Sequence, residues 1–250
     1  MHEEELRGGH ASGKVVRVGA TVRKPWDENT PAVHSYLDAL RSQGLNVPRP
    51  LGRDGEGRQI LEFVPGTLAM DRMPLDSAGL RRVGSMIRAI HGASERIPLP
   101  GRPWPTLLPA PSPDLICHND LAPWNLVEDD DRWTFIDWDG AGPSSRAWDL
   151  AYSAQSFGLL IHGEAVDAAA ARLRDVVDGY GADDELRRRL PALMAQRTAA
   201  MYELLRESSI TGRQPWASMF AEGHGVFWRE TSAYVARHQA DWASALTQAG

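Results

Sequence analysis

Short alternating runs of apolar and polar residues dominate the first part of the chain, and helical periodicity takes over beyond about residue 145. Lys14–Gly19 and Thr21–Pro25 read as two short strands around a Gly19-Ala20 turn. Thr30-Pro31 opens a helix to about Ser42, with Val33, Tyr36, Leu37 and Leu40 on one face, and Val47-Pro48-Arg49-Pro50 ends it. Strands near 50–53 and 59–64 flank the turn Asp54-Gly55-Glu56-Gly57, and Pro65-Gly66 closes the region. Asp76 caps a second helix to about Ala93, whose buried face is Leu80, Val83, Ile87 and Ile90. A proline-rich connector, Pro98 to Pro113, leads to an apolar strand, Leu115-Ile116-Cys117, and then to a hairpin of Asn125–Val127 with Trp133–Ile136. Helices are predicted near 145–157, 164–179, 184–207 and 215–247. Pro191 should kink or interrupt the third, and Gly223 and Gly225 the last. The expectation is an α+β protein: residues 1–65 form a small sheet with one helix, and residues 66–250 form a larger, mainly helical part.

Composition narrows the function without naming it. The 250 residues are 42% hydrophobic and 24% charged, ordinary for a globular enzyme. A net charge of −6 with no basic stripe argues against binding to a nucleic acid polymer or an anionic membrane. Cys117 is the single cysteine, so no internal disulfide forms, and a reducing compartment fits. Met1–Arg7 is polar and acidic, unlike a secretory signal, and no run of about 18 apolar residues could span a bilayer. A cytoplasmic location is expected. Of 27 cationic residues only Lys14 and Lys24 are lysines. Either two lysines survive by chance, or a site needs a compact point charge where arginine's planar fork would not serve.

The chemistry concentrates in His118-Asn119-Asp120-Leu121-Ala122-Pro123-Trp124-Asn125 and the following Ile136-Asp137-Trp138-Asp139. One segment is a loop after a strand and the other sits where a hairpin strand ends, positions that hold side chains firmly yet present them to a cleft. Transfer of a phosphoryl group from a nucleotide needs a carboxylate to orient and deprotonate the attacking hydroxyl, and hard oxygen ligands to hold magnesium on the phosphates. Asp120 is the candidate base. Asn125 and Asp137 are the candidate Mg2+ ligands, and His118 is a brace for the loop. The eight histidines form no zinc-ligand spacing, and Cys117 reads as a small buried side chain.

With those residues in view, the chain resembles the aminoglycoside phosphotransferase and choline kinase group, the small-molecule branch of the two-lobed protein-kinase-like fold. His118, Asp120 and Asn125 match that group's catalytic loop, and Asp137 its metal-binding aspartate. Trp138-Asp139 stands where protein kinases have Phe-Gly. Trp148-Asp149-Leu150-Ala151 is similar to the following helix, whose aspartate, here Asp149, braces the loop. The resemblance covers most of residues 8–155 and implies ATP or GTP as co-substrate. It implies that Lys24 reaches the phosphates and that Val22, on the same strand face, covers the base. Glu62-Phe63-Val64 would form the hinge pairing with the base, and backbone amides around Ser12 and Gly13 would approach the phosphates. Gly8–Lys14 nearly spells a Walker loop, but Val15 offers no hydroxyl and no apolar strand precedes it. One departure stands out: the helix glutamate that usually pairs with the lysine falls here on His34. Either the lysine is held differently or catalysis is weak.

The implied acceptor site lies between the catalytic loop and the C-terminal helices. Its candidate lining residues are Asp139, Glu203, Glu207, Trp216, Glu222, Trp228 and Glu230. Residues 140–250 carry 13 acids and 11 arginines (−2), too mild a balance to single out a polycationic aminoglycoside. The reading is a kinase of a small hydroxylated antibiotic or metabolite, monomeric or dimeric. The alternative is a weakly active or inactive nucleotide-binding relative acting through interactions. A protein kinase is disfavoured, because Ala122 replaces the catalytic-loop lysine and no Ala-Pro-Glu segment follows.

Overall fold

A computed structural model describes residues 2–6, 14–99, 101, 103–130 and 132–247, so the expected roles of Ser12 and Gly13 lie outside the described residues. Gly19, with φ of +61°, turns β2 (Val16–Val18) into β3 (Thr21–Lys24), a conformation that glycine adopts without a Cβ clash. β4 (Pro50–Arg53) and β5 (Gln59–Glu62) complete the antiparallel sheet, joined by a turn in which the Asp54 carboxylate accepts the Glu56 and Arg58 amides. A two-residue strand that the polar N-terminus did not announce, β1 (Glu4–Glu5), adds an edge to give the order β1-β2-β3-β5-β4. Both its residues are exposed, and backbone pairing with β2 is joined only by the surface ion pairs Glu4–Arg17 and Glu5–Lys14.

α1 (Thr30–Ser42) has the predicted limits, and its apolar stripe is buried. The Tyr36 hydroxyl lies 2.6 Å from Ser94 Oγ and 3.0 Å from the Ile116 carbonyl, tying α1 to α2 (Ser77–Ser94) and to β7 (Leu115–Cys117). Two small antiparallel sheets follow the first. β7 pairs with β10 (Gly142–Ser144), while β6 (Thr67–Leu68), β8 (Leu126–Asp129) and β9 (Arg132–Phe135) form the other. They frame the segment 118–125 from both sides.

The helical part comprises α3 (Arg146–Phe157), α4 (Val166–Tyr180), α5 (Asp184–Thr211), α6 (Trp216–Met219), α7 (Gly225–Arg237) and α8 (Gln239–Thr247). α5 runs uninterrupted across Pro191, where the sequence predicts a kink or interruption. Leu190, Pro191 and Met194 are all buried there, and that packing outweighs the lost backbone bond. Gly223 does break the last segment, at φ of +109°. A main core spans sheet, hairpin and helices. A second cluster, Ala122, Tyr152, Met201, Leu204, Leu205 and Trp228, includes a residue of the segment 118–125.

α2 and α4 meet glycine to backbone. A Cβ on Gly84 would overlap the Val176 carbonyl and the Tyr180 amide, and one on Gly179 would overlap Arg81. Gly84→Ala is therefore expected to destabilise the protein by about 3 kcal/mol, the upper range of overpacking, despite alanine's higher helix propensity. A urea midpoint equal to or above that of the wild type would contradict this contact.

Candidate active site

β7 delivers His118 at its end, and two residues with left-handed backbone follow in the site: Asn119 (φ +67°) and Asp137 (φ +61°). Non-glycine residues hold this conformation at a cost of about 1–2 kcal/mol each unless surrounding contacts enforce it. The contacts are present. The buried His118 places Nε2 3.0 Å from the Ile136 carbonyl and accepts the Asp120 amide on Nδ1 at 3.2 Å, which puts its proton on Nε2. The buried Asp149 accepts the Asn119 amide at 2.9 Å on one oxygen and faces His91 Nε2 at 3.0 Å on the other. His91 in turn reaches the Tyr180 hydroxyl at 2.9 Å. Both expected bracing positions, His118 and Asp149, thus sit against the loop.

Asp120 Oδ2 accepts Asn125 Nδ2 at 2.7 Å, with the Trp124 indole N–H 3.5 Å away, and the Tyr152 hydroxyl also bonds this carboxylate. Burial pushes the Asp120 carboxyl above its usual range. The His118 side chain opposes that shift, the Asp137 charge adds to it, and the Tyr152 and Trp124 hydrogen bonds again oppose it. The Asn125 amide nitrogen also bonds the Asp120 carbonyl at 2.9 Å, which commits its N–H groups and leaves the amide oxygen as the ligand atom.

Lys24 is buried and bridges Asp137 and Asp139, with Nζ 2.6 Å from Asp139 Oδ2. Burial alone would lower its pKa. The charges of Asp139 and Asp137 outweigh that and raise it above the ordinary lysine range. Asp139, expected on the acceptor side, instead belongs to the lysine. Its other oxygen accepts Gln59 Nε2 at 3.1 Å, and Gln59 Oε1 lies 3.2 Å from His34 Nε2. His34 is therefore not a direct partner of Lys24. Gln59 pairs across the strands with Lys24 and stands between the two.

Val22 pairs across the sheet with the buried Leu61, while Arg23 turns to Asp54 at 3.5 Å, as strand alternation requires. Glu62 is exposed, with its carboxylate 3.1 Å from the Arg49 amide. The Phe63 amide is committed to the Ala20 carbonyl at 3.0 Å, and its ring lies under Arg17. Val64 follows, half-buried.

The other acidic residues expected of the acceptor side lie at the surface. Glu203 and Glu207 lie on the exposed face of α5, where Glu203 is taken by Arg206 at 2.7 Å. Glu222 is also exposed, and Glu230 lies near Arg229. Helical periodicity explains this, since residues 201, 204, 205 and 208 take the buried stripe. What stands beside Asp120 is aromatic: Tyr152, stacked on the buried Trp228 with ring centres 6.3 Å apart, and the part-exposed Trp124. Trp216 is half-buried against the same cluster.

Three residues that sequence reasoning missed therefore contribute: Gln59, His91 and Tyr152. His91 left one signal, a polar side chain on an otherwise apolar helix stripe. His91, Cys117 and Asp149 also come within 4.8 Å of one another. Both ring nitrogens and both carboxylate oxygens are spent in hydrogen bonds, and burial holds the thiol protonated, so this is a polar core feature and not a metal centre.

With this geometry in place, sequence comparison matches residues 102–190 to the phosphotransferase enzyme family. Comparison with curated proteins finds no match. Solved structures agree over nearly the whole chain. A choline/ethanolamine kinase family protein from Mesorhizobium loti is 17% identical, with a TM-score of 0.63 over 95% of this chain and 93% of that one. An amicoumacin kinase solved with AMP-PNP and Ca2+ is 14% identical, with a TM-score of 0.68 over 92% and 88%. A microcompartment-associated aminopropanol kinase is 15% identical, with a TM-score of 0.67 over 97% and 94%. The fold is the protein-kinase-like α+β one, with a small antiparallel sheet region and a larger helical part. Among the described residues no helix is long and apolar enough to cross a membrane.

Proposed function

We propose that the protein transfers the γ-phosphoryl group of ATP or GTP to a hydroxyl of a small molecule. The observation that carries this reading is the convergence of Asp120, Asn125, Asp137 and Lys24, drawn from three separate segments, on one site. In it residues 1–65 bind the nucleotide, with Val22 and Glu62–Val64 against the base, and residues 66–250 hold the catalytic loop and acceptor. The Asn125 amide oxygen and the Asp137 carboxylate form a hard-oxygen donor set that suits Mg2+, with Asp139 beside it. A bound magnesium would neutralise charge on the phosphates. Lys24 would attend the same phosphates. Asp120 takes the acceptor's proton as its oxygen forms a bond to the γ-phosphorus, and the bond to the bridging oxygen breaks to release the nucleoside diphosphate.

The neighbours are a choline/ethanolamine kinase family protein, an amicoumacin kinase and an aminopropanol kinase, which supports an amine-bearing alcohol, antibiotic or metabolite, as the first acceptors to try. The reading as an inactive relative rested on the missing helix glutamate. Asp139 gives Lys24 a carboxylate in its place, which favours an active enzyme. The test is nucleotide consumption with Mg-ATP and Mg-GTP against amino alcohols, amino sugars and hydroxylated antibiotics. Turnover should exceed that of Asp120→Ala with at least one acceptor. Nucleotide binding without any such acceptor would overturn the proposal.

A further inference from the structure

Arg197 occupies an unusual position for a cation. It lies on the buried face of α5, only 5% exposed, and forms no ion pair among the described residues. One terminal nitrogen, Nη1, is buried without a hydrogen-bond partner. A guanidinium is among the most costly groups to bury unpaired, and an apolar side chain of similar length would serve packing better. Its remaining contacts run to the loop before Asp120 and to two aromatic rings of α3. Nη2 donates to the Asn119 carbonyl at 3.3 Å, and the guanidinium carbon lies 4.3 Å from the centre of the Tyr152 ring and 5.8 Å from that of Trp148.

Asn119 is the left-handed residue immediately before Asp120. Its amide is held by Asp149 at 2.9 Å, and its side-chain nitrogen by the carbonyls of Gly140 at 3.1 Å and Gly142 at 3.4 Å. Arg197 takes the carbonyl, the remaining backbone arm. On the other side it covers the ring whose hydroxyl bonds the Asp120 carboxylate. Asp120 is thereby bracketed from both directions, through the backbone of residue 119 and through the Tyr152 hydroxyl.

We infer that Arg197 is a positioning residue for Asp120, holding the Asn119 carbonyl and the Tyr152 ring at the expense of fold stability. The inference rests on the reading of Asp120 as the base, and it adds a part that the loop motif does not contain. A structural arginine and a positioning arginine differ in a measurable way. Removing the first lowers stability everywhere, whereas removing the second loosens one loop and spares the rest.

The test uses Arg197→Met, Arg197→Lys and Tyr152→Phe in the full chain, read by thermal melting without nucleotide, hydrogen exchange and turnover of Mg-ATP. Arg197→Met is expected to melt at or above the wild-type temperature. Amides of residues 118–125 should exchange about tenfold faster while those of α2 and α4 keep their rates. Its kcat should fall about tenfold or more with the KM for Mg-ATP little changed, since misplacing the base affects the chemical step. Arg197→Lys should recover part of both effects, and Tyr152→Phe should reproduce the kcat loss. Unchanged exchange at 118–125 in Arg197→Met would overturn the inference, as would a lower melting temperature with faster exchange throughout. If wild-type turnover does not exceed that of Asp120→Ala, the phosphotransfer proposal fails, while the exchange arm still decides what Arg197 holds.

Discussion

Replacing Asp120 by asparagine should lower kcat by about three orders of magnitude and leave nucleotide affinity within about a factor of two. The amide oxygen can keep the bond from Asn125 Nδ2 that the wild-type Oδ2 accepts, and the Tyr152 hydroxyl can turn to accept from the new amino group. The loop geometry survives and only the proton acceptor is lost. The same variant carries a stability signature. Burial raises the Asp120 pKa in the folded protein, so folding favours the protonated carboxyl and disfavours the ionised one. The stability contributed by protonation is fully present below the unfolded-state value of about 4 and is lost as pH rises through the higher folded value. In nucleotide-free protein Asp120→Asn should therefore melt above the wild type at neutral pH, with the gap closing on acidification toward about pH 4. A gap that widens as pH falls, or a kcat within tenfold of the wild type, would remove Asp120 from the role of base.

The residues most legible in the sequence are those whose signals are local. Thr30-Pro31 and the stripe Val33, Tyr36, Leu37 and Leu40 set α1 to the residue, and Asp76 caps α2 through the Gly79 amide. The spacing of Asp120, Asn125 and Asp137 is also local, because a loop and the hairpin after it carry all three. What stayed hidden depends on distant segments meeting. Lys24 and Asp137 are 113 positions apart, and whether His34 or Gln59 approaches the lysine is decided by the cross-strand register Lys24↔Gln59. The resemblance places Asp139 among the acceptor-lining candidates. The short helical turn Trp138–Gly140 swings it back to the sheet side instead. Arg197 lies 78 positions from the carbonyl it holds, and periodicity alone marks only that its position is buried.

Lys24→Met should reduce turnover by about two orders of magnitude, and it should also change how the protein responds to magnesium. The lysine is almost fully buried, while the side chains of its partners Asp137 and Asp139 are 25% and 24% exposed. Without it two carboxylates face each other with no cation between them, a loss of about 3 kcal/mol by comparison with other buried pairs broken on one side. A divalent ion added to the nucleotide-free variant can supply the missing positive charge, and a ligand that binds only the folded state raises its stability. In the wild type the same ion must compete with Lys24 for the Asp137 carboxylate. Millimolar Mg2+ should therefore raise the melting temperature of Lys24→Met more than that of the wild type, although the variant begins lower. Equal shifts in the two proteins would mean that Lys24 and the metal do not share these carboxylates, and that the lysine is placed for the fold and not for phosphates. A larger shift in the variant, together with lost turnover, would make the Lys24–Asp137–Asp139 cluster the resting form of the nucleotide site. There the lysine holds the two carboxylates together until metal and phosphates arrive.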